Sequence, residues 1–177
     1  DGQPLGVVHR DISPQNLRIQ PDGLVKLLDF GIARFVGRST DTLADVLKGK
    51  HAYMSPEQGE GLELDGRSDL FALGVLLHEL STGRRLFRAE TVPDTLNRVR
   101  RCEVPDLTEL RPDLDPELAH LIMSCLSRDP QGRPLGASVL VERFRGLLQG
   151  GLVEAQEVVS RWVEATLGAE RGQGPIP

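Results

Sequence analysis

Near the amino terminus, short stretches of the chain alternate between apolar and polar residues on both sides of a turn. The turn spans residues 21–23 and contains proline, aspartate and glycine. A period of two on each side of such a turn predicts a β-hairpin. The alternating apolar residues are Leu17, Ile19, Val25 and Leu27.

Beyond residue 64 the apolar positions recur at helical spacing instead. The stretch 65–82 has apolar residues around almost its whole circumference, which predicts a buried central helix. Asp65 or Ser68 can cap its start, and Gly83 can end it. Further amphipathic helices are predicted at 94–102, 116–126, 135–148 and 152–167. The fold class is therefore mainly α with one small β-hairpin.

Composition narrows the functional classes. The chain has 177 residues, of which 39% are hydrophobic, and its net charge is −5 without a basic run. We therefore expect one soluble domain, no nucleic-acid partner and no anionic membrane surface. The longest apolar run, at 70–77, is too short to span a bilayer, and we expect a cytoplasmic location, although a longer parent chain could carry a membrane segment elsewhere. Cys102 and Cys125 fit no metal spacing, and buried reduced thiols are the expectation.

Oxygen-bearing side chains lie at the open end of the predicted hairpin. Asn16 precedes its first strand and Asp29 follows its second, so a hairpin brings them together, with Asp11 five positions before Asn16. Carboxylate and amide oxygens in such a cluster suit Mg²⁺, which completes its shell with water and phosphate. Asp11 and Asn16 taken alone would equally suit a turn, because both residue types favour Asx-turns and caps.

These residues belong to recognisable sequence motifs. The stretch 9–16 is H-R-D-I-S-P-Q-N, residues 29–31 are D-F-G, and residues 53–58 are Y-M-S-P-E-Q. In this order they resemble the catalytic loop, magnesium loop and P-E motif of protein kinases, particularly the bacterial serine/threonine branch. The resemblance covers about residues 5–148 and implies ATP and Mg²⁺ as cofactors and a protein as substrate.

The resemblance implies a role for each residue of the first two motifs. Asp11 would be the catalytic base that accepts the proton of the attacking hydroxyl. Asn16 and Asp29 would hold Mg²⁺ and the nucleotide phosphates. His9 would pack beneath the magnesium loop as a structural core histidine, and Arg10 would meet either a phosphate on the activation segment or a surface carboxylate.

Three further residues have structural roles in the family. Glu57 is expected to pair with Arg133 in the interior, as a folding interaction and not a chemical one. Asp69 resembles the aspartate that accepts hydrogen bonds from the catalytic-loop backbone. A simple stabilising effect at the helix N-terminus is compatible with that role.

Three positions depart from the family pattern. Ser13, assigned to the nucleotide site, lies two residues after the expected base, where the family usually has a lysine that neutralises the transferred phosphate. Lys50 replaces the usual threonine after Gly49. We hypothesise that Lys50 reaches back to the transferred phosphate in place of that missing lysine. Alternatively, Lys50 points to solvent or meets an acidic substrate. Arg18 lies where an apolar side chain usually supports adenine, and it would either stack on the base or turn outward.

The segment between Asp29 and Glu57 corresponds to the activation segment. Its polar middle contains three hydroxyl residues, which either are phosphorylated and ordered by Arg10 or simply favour turns. Residues 48–53 would form a ledge for a substrate peptide. The hydroxyl residues are Ser39, Thr40 and Thr42.

The chain has no upstream glycine-rich loop or strand lysine of the kinase type. We therefore expect residues 1–148 to be the carboxy-terminal lobe, 149–168 to add a helix of unknown role, and 169–177 to be disordered. The missing amino-terminal lobe would belong to a longer parent chain, and this fragment alone would be inactive. The alternative is a pseudokinase or interaction scaffold. The sequence sets no expectation for the oligomeric state.

Overall fold

The computed structural model describes residues 7–29, 49–148 and 150–172, with side chains described as far as residue 168. The predicted hairpin is present. Strands β1 (Leu17–Ile19) and β2 (Val25–Leu27) pair antiparallel, with Leu17 opposite Leu27. A short 3₁₀ turn, Pro14–Asn16, leads into β1. Gly23 forms the turn between the strands with φ +82°, a conformation that glycine adopts without steric cost.

The rest of the described chain is helical, and the expectation of a mainly α fold is confirmed. A second 3₁₀ turn, Pro130–Gly132, lies between the last two helices of the core. The helices are α1 (Pro56–Glu60), α2 (Gly66–Thr82), α3 (Val92–Arg101), α4 (Leu107–Leu110), α5 (Pro116–Cys125), α6 (Ala137–Leu147) and α7 (Gly151–Gly172).

Helix α2 is the central helix that the sequence predicts. Its N-cap is Asp65, whose carboxylate accepts a hydrogen bond of 2.8 Å from the Arg67 amide. Gly83 ends it in the left-handed conformation. Leu80 does not join the core, because it lies on the outer face of the last turn and is 72% exposed.

The hydrophobic core forms where α2 packs against α5. Phe71 and Val75 of α2 are fully buried there, together with Ile122 and Cys125 of α5. Gly74 lets the two helices approach closely, because a Cβ at this position would lie 2.8 Å from Cys125 Cβ. The core thus supports the first turn of α2, which faces the loop before the hairpin.

Helix α7 packs on the turn of the hairpin. Gln156 Nε2 donates to the Asp22 carbonyl at 3.0 Å, and Ser160 Oγ donates to the Pro21 carbonyl at 2.7 Å. The helix extends beyond the predicted 152–167, so residues 169–172 of the expected tail are helical. The residues there (Ala, Glu and Arg) are good helix formers. Among the described helices, none is both long and apolar enough to cross a bilayer.

Candidate active site

The hairpin brings Asn16 and Asp29 to the same place in the fold. The Leu28 amide donates to the Asn16 carbonyl at 2.8 Å, which closes the open end of the hairpin. Asp29 is the next residue, exposed and with φ +53°. The two residues that the sequence assigns to the metal therefore lie on adjoining strand ends.

Asp11 is joined to this pair by a hydrogen bond from the Asn16 side chain to the Asp11 backbone. Asn16 is buried, and its Nδ2 donates to the Asp11 carbonyl at 2.7 Å. This bond closes the loop of residues 11–16 and leaves the Asn16 Oδ1 as the acceptor atom of the amide. Ser13 lies inside the loop, fully buried, and its Oγ has no hydrogen-bond partner among the described residues.

Asp69, in the first turn of α2, holds the start of the catalytic loop. Its two carboxylate oxygens accept from the His9 amide at 2.7 Å and from the Arg10 amide at 2.9 Å. Arg10 has a left-handed backbone with φ +66°, which is unusual for a residue with a side chain. Gln58 Nε2 donates to the Arg10 carbonyl at 3.0 Å, so side chains hold both sides of this strained residue.

His9 connects the catalytic loop to the residue before Asp29. It is 4% exposed, and its Nε2 lies 3.2 Å from the Leu28 carbonyl, while its Nδ1 lies 3.3 Å from the Asp11 amide. The tautomer protonated on Nε2 satisfies both contacts, since the ring then donates to the carbonyl and accepts from the amide. The His9 ring therefore contacts backbone atoms on both sides, those of Leu28 and of Asp11.

Lys50 turns inward to Asp11. Its Nζ lies 2.8 Å from Asp11 Oδ2, and the two side chains are 17% and 9% exposed. This orientation differs from the solvent-directed alternative that the sequence left open.

Glu57 and Arg133 form a buried pair. Arg133 donates from Nη1 and Nη2 to the two Glu57 oxygens at 2.6 and 2.8 Å, and Ser68 Oγ donates to Glu57 at 2.7 Å. Burial opposes the charge of Glu57, but the hydrogen bonds from Arg133 and Ser68 outweigh it and lower its pKa to about 2. The Arg133 guanidinium also lies over the Phe71 ring, 4.8 Å from its centroid. The pair is thus anchored in the core of the lobe.

A second polar network lies beside the catalytic loop, and sequence reasoning missed it. Tyr53 donates to Glu79 Oε2 at 2.6 Å, and Arg85 bonds to both the Tyr53 hydroxyl and that oxygen. Burial, followed by the neighbouring Glu79, raises the pKa of Tyr53 well above its usual value. Because Tyr53 lies 26 residues before Glu79 and 32 before Arg85, no local pattern marks it as their partner.

The donor set of the site fits a hard cation. Asn16 offers an amide oxygen and Asp29 offers a carboxylate. Mg²⁺ is commonly coordinated by one or two such protein groups, with water and phosphate oxygens as its other ligands. In the described ranges, no group of three or more His, Cys, Asp or Glu residues is arranged to hold a metal.

Some of the remaining predicted residues lie outside this cluster. Arg18 is exposed and pairs in register with Lys26 on β2, so it turns away from the core. The three hydroxyl residues proposed for phosphorylation, Ser39, Thr40 and Thr42, lie outside the described residues. Gln58 belongs to the site although the sequence assigned it no separate role.

Comparison with known proteins identifies the family. Residues 4–144 match the protein kinase domain model. The chain is 48% identical over 132 residues to the tyrosine-protein kinase MasK of Myxococcus xanthus, covering 75% of this chain and 20% of that protein. It is 38% identical over 159 residues to the serine/threonine-protein kinase pkn3 of Myxococcus xanthus, covering 84% of this chain and 28% of the relative.

A third relative is similar over nearly the whole chain. The serine/threonine-protein kinase A of Synechocystis sp. is 34% identical over 191 residues, covering 99% of this chain and 37% of that protein. The chain thus spans between a fifth and two fifths of the length of these curated relatives. With its kinase motifs in one cluster and most of its length matching the domain, the chain belongs to the protein kinase family.

Proposed function

We propose that the protein containing this chain transfers the γ-phosphate of ATP to serine or threonine hydroxyls of a protein substrate. The observation that carries the proposal is the direct bond from Asn16 to the Asp11 carbonyl at an open hairpin end, next to Asp29. This arrangement supports a site in which the Asp11 carboxylate, held by Lys50, acts as the base beside two side chains available for a cation.

Asp11 has the role of base. Its carboxylate orients the substrate hydroxyl and accepts the hydroxyl proton as the oxygen attacks the terminal phosphorus. Asp69 and Gln58 position Asp11, because they bond to the backbone of the two preceding residues. A loose transition state requires little covalent participation, so positioning is the main contribution of these residues.

Asn16 and Asp29 would hold Mg²⁺ through their side-chain oxygens. When bound, the ion neutralises negative charge on the nucleotide phosphates. Ser13 would add a polar contact to the nucleotide, and its buried Oγ, which has no hydrogen-bond partner among the described residues, supports this role.

Lys50 would supply the cation that the family usually places at position 13. Its ammonium is already within 2.8 Å of the Asp11 carboxylate, so a transferred phosphoryl group beside Asp11 would come within its reach. Residue 13 is instead a serine, whose side chain is uncharged and buried. The two departures from the family pattern therefore compensate each other in this proposal.

The decisive experiment measures transfer of radiolabelled γ-phosphate by the full-length protein to a mixture of generic protein substrates. Asp11→Asn should abolish incorporation, because the amide cannot accept the proton, while the fold is retained. Glu109→Gln is the matched control, since Glu109 is exposed on α4, and it should leave the rate unchanged. Unchanged incorporation in Asp11→Asn would disprove the assignment, and no transfer by the wild type would favour the scaffold alternative.

A second acceptor has a specific observation in its favour. The relative that is 48% identical to this chain is named a tyrosine-protein kinase. Acid hydrolysis of the labelled substrate, followed by separation of the phosphoamino acids, shows whether serine, threonine or tyrosine is the acceptor. We expect phosphoserine and phosphothreonine, and label exclusively on tyrosine would overturn this part of the proposal.

A further inference from the structure

One stretch of the lobe has a charge opposite to that of the whole chain. Between residues 84 and 103 there are six arginines and three acidic residues, whereas the complete chain has a net charge of −5. The arginines are Arg84, Arg85, Arg88, Arg98, Arg100 and Arg101, and the acidic residues are Glu90, Asp94 and Glu103. They occur in separate short groups, so the sequence does not show whether they lie together.

The fold brings three of these arginines to one surface. Arg98, on α3, donates from Nη1 to the carbonyl of Arg88 at 3.0 Å, which places the two residues side by side. Arg98 and Arg101 line a cavity of about 270 Å³ together with Leu86, Phe87 and Glu103. We refer to Arg88, Arg98 and Arg101 as the arginine surface.

The positive charges of the arginine surface are not neutralised within the described part of the chain. All three residues are exposed, and no described carboxylate lies within 4.0 Å of their guanidinium groups. The neighbouring Arg85 differs, because it is paired with Glu79 at 2.7 Å. Exposed guanidinium groups without acidic partners attract carboxylates and can bind them with two parallel hydrogen bonds.

The arginine surface adjoins the candidate active site through Tyr53. Tyr53 lines a small cavity together with Asp11 and Lys50. On its other side, the Tyr53 hydroxyl bonds to Arg85, which lies three residues before Arg88 in the chain. A polypeptide whose hydroxyl is oriented by Asp11 therefore has the arginine surface within reach of its flanking residues.

We propose that the arginine surface binds aspartate or glutamate side chains next to the phosphorylated residue of the protein substrate. This inference rests on the proposed function, because it names the substrate class of the same site. A peptide fits better than a nucleic acid for two reasons. The arginine surface offers three guanidinium groups on a chain of net negative charge, and the cavity beside them has an apolar side formed by Leu86 and Phe87.

The test compares serine peptides that differ only in a flanking block of glutamate or glutamine, placed on either side of the serine. The full-length protein should phosphorylate one glutamate peptide with a kcat/KM about tenfold higher than its glutamine counterpart, consistent with two or three exposed ion pairs. The double variant Arg88→Gln/Arg101→Gln should reduce this ratio to about one without slowing the glutamine peptide. Both side chains lack described hydrogen bonds, so the variant should fold normally.

Arg143→Gln is the matched control, because Arg143 is an exposed arginine on α6, outside the arginine surface. It should keep the tenfold ratio. Higher salt should reduce the preference of the wild type, since exposed charges are screened. A ratio near one in the wild type, or a ratio that survives in the double variant, would overturn the inference.

Fluorescence anisotropy with the same labelled peptides measures the preference without phosphoryl transfer. If no peptide is phosphorylated, the proposed function fails, while tighter binding of the glutamate peptide that is lost in the double variant still supports the arginine surface. Two further probes are a peptide with a phosphoserine block and a single-stranded RNA. Selective binding of either one, with no difference between glutamate and glutamine, would contradict the assignment to acidic side chains.

Discussion

At the scale of single residues, the lobe depends on charges held in defined pairs. The pair formed by Glu57 and Arg133 is buried, and the Arg133 side chain has no exposed surface. The pair formed by Lys50 and Asp11 is partly buried and lies in the candidate active site. The first pair concerns stability and the second concerns chemistry, so their variants should affect different measurements.

Glu57→Gln should destabilise the protein by about 3–5 kcal/mol at pH 7, because it leaves the Arg133 guanidinium buried without a counter-charge. The pKa of Glu57 is lowered from 4.5 to about 2 in the fold. Its stabilising effect is therefore complete above pH 4.5 and is lost as the pH falls towards 2. The difference in unfolding free energy between wild type and variant should shrink by about 3 kcal/mol over this range.

Denaturant unfolding followed by circular dichroism at several pH values measures this effect. Glu60→Gln is the control, since Glu60 pairs with Arg128 at the surface and should cost less than about 1 kcal/mol. Equal losses of unfolding free energy in the two variants would show that the buried pair stabilises the protein no more than the surface pair does.

Lys50→Thr should lower kcat by about 10²–10³-fold, a loss comparable to that of one preorganised charge or donor at the transferred group. Adding Ser13→Lys to this variant restores the usual family pattern and should recover at least about tenfold of the loss. Steady-state kinetics of the full-length protein measures both. Lys26→Ala, on the exposed β2 strand, should have no effect. Full turnover in Lys50→Thr would refute the compensation between the two positions.

At the scale of secondary-structure elements, close backbone approaches decide how the helices meet. Helices α2 and α5 pack through Gly74, and helix α7 meets the hairpin turn through Gly23. Both glycines lie where a side chain would overlap atoms of the neighbouring element. Two alanine substitutions test these contacts, each with a glycine elsewhere in the chain as its control.

Gly74→Ala should destabilise the protein by about 1–3 kcal/mol, because the added methyl group would lie 2.8 Å from Cys125 Cβ and 3.1 Å from Leu126 Cγ. Gly146→Ala, in α6 with nothing within 4 Å, should instead stabilise by about 0.5–1 kcal/mol through helix propensity. Thermal unfolding measures both. If both substitutions changed the stability in the same direction, the packing of α2 on α5 would be looser than described.

Gly23→Ala should loosen helix α7 from the hairpin. A Cβ at this position would lie 2.0 Å from the Gln156 carbonyl oxygen, so α7 must move away and lose its two bonds to the turn. Gly83→Ala carries a similar backbone strain of about 1–2 kcal/mol, with φ +67°, but meets no atom within 4 Å.

Hydrogen exchange of the β2 amides separates the two effects. Exchange should accelerate in Gly23→Ala and stay as in the wild type in Gly83→Ala. If both variants left β2 protected, α7 would have no influence on the hairpin that carries Asn16 and Asp29.

At the scale of the whole molecule, long-range bonds assemble the catalytic loop. Asp69 reaches residues 9 and 10 from sixty positions away, and Gln58 reaches Arg10 from forty-eight. The loop therefore takes its position from the start of α2 and from α1. Changes in the hydrophobic core that shift α2 should be transmitted to Asp11 through these bonds.

Asp69→Ala should lower kcat by about 10²-fold, because two backbone amides lose their acceptor and Asp11 is no longer held in position. Asp65→Ala is the matched control in the same helix turn. It removes the N-cap and should cost about 1 kcal/mol of stability with little change in kcat. Parallel kinetics and unfolding measurements distinguish the two roles. A kcat loss that merely follows the loss of stability in both variants would exclude a positioning role for Asp69.

Much of this architecture follows from neighbouring residues. The alternation around residues 21–23 predicts the hairpin, since strand pairing through a short turn is a local event. Asp65 and Gly83 mark the ends of the central helix through capping groups that lie within its own termini. The order of the kinase motifs identifies the residues of the candidate site, because their spacing is a property of the chain alone.

Packing between distant segments decided the rest. Lys50 meets Asp11 over 39 positions, and Tyr53 meets Glu79 over 26. Leu80 shows the converse, since its helical spacing matches the core while the tertiary structure leaves it exposed. Such partners lie tens of residues apart, and a periodic pattern reports only which face of an element is apolar, not which element covers it.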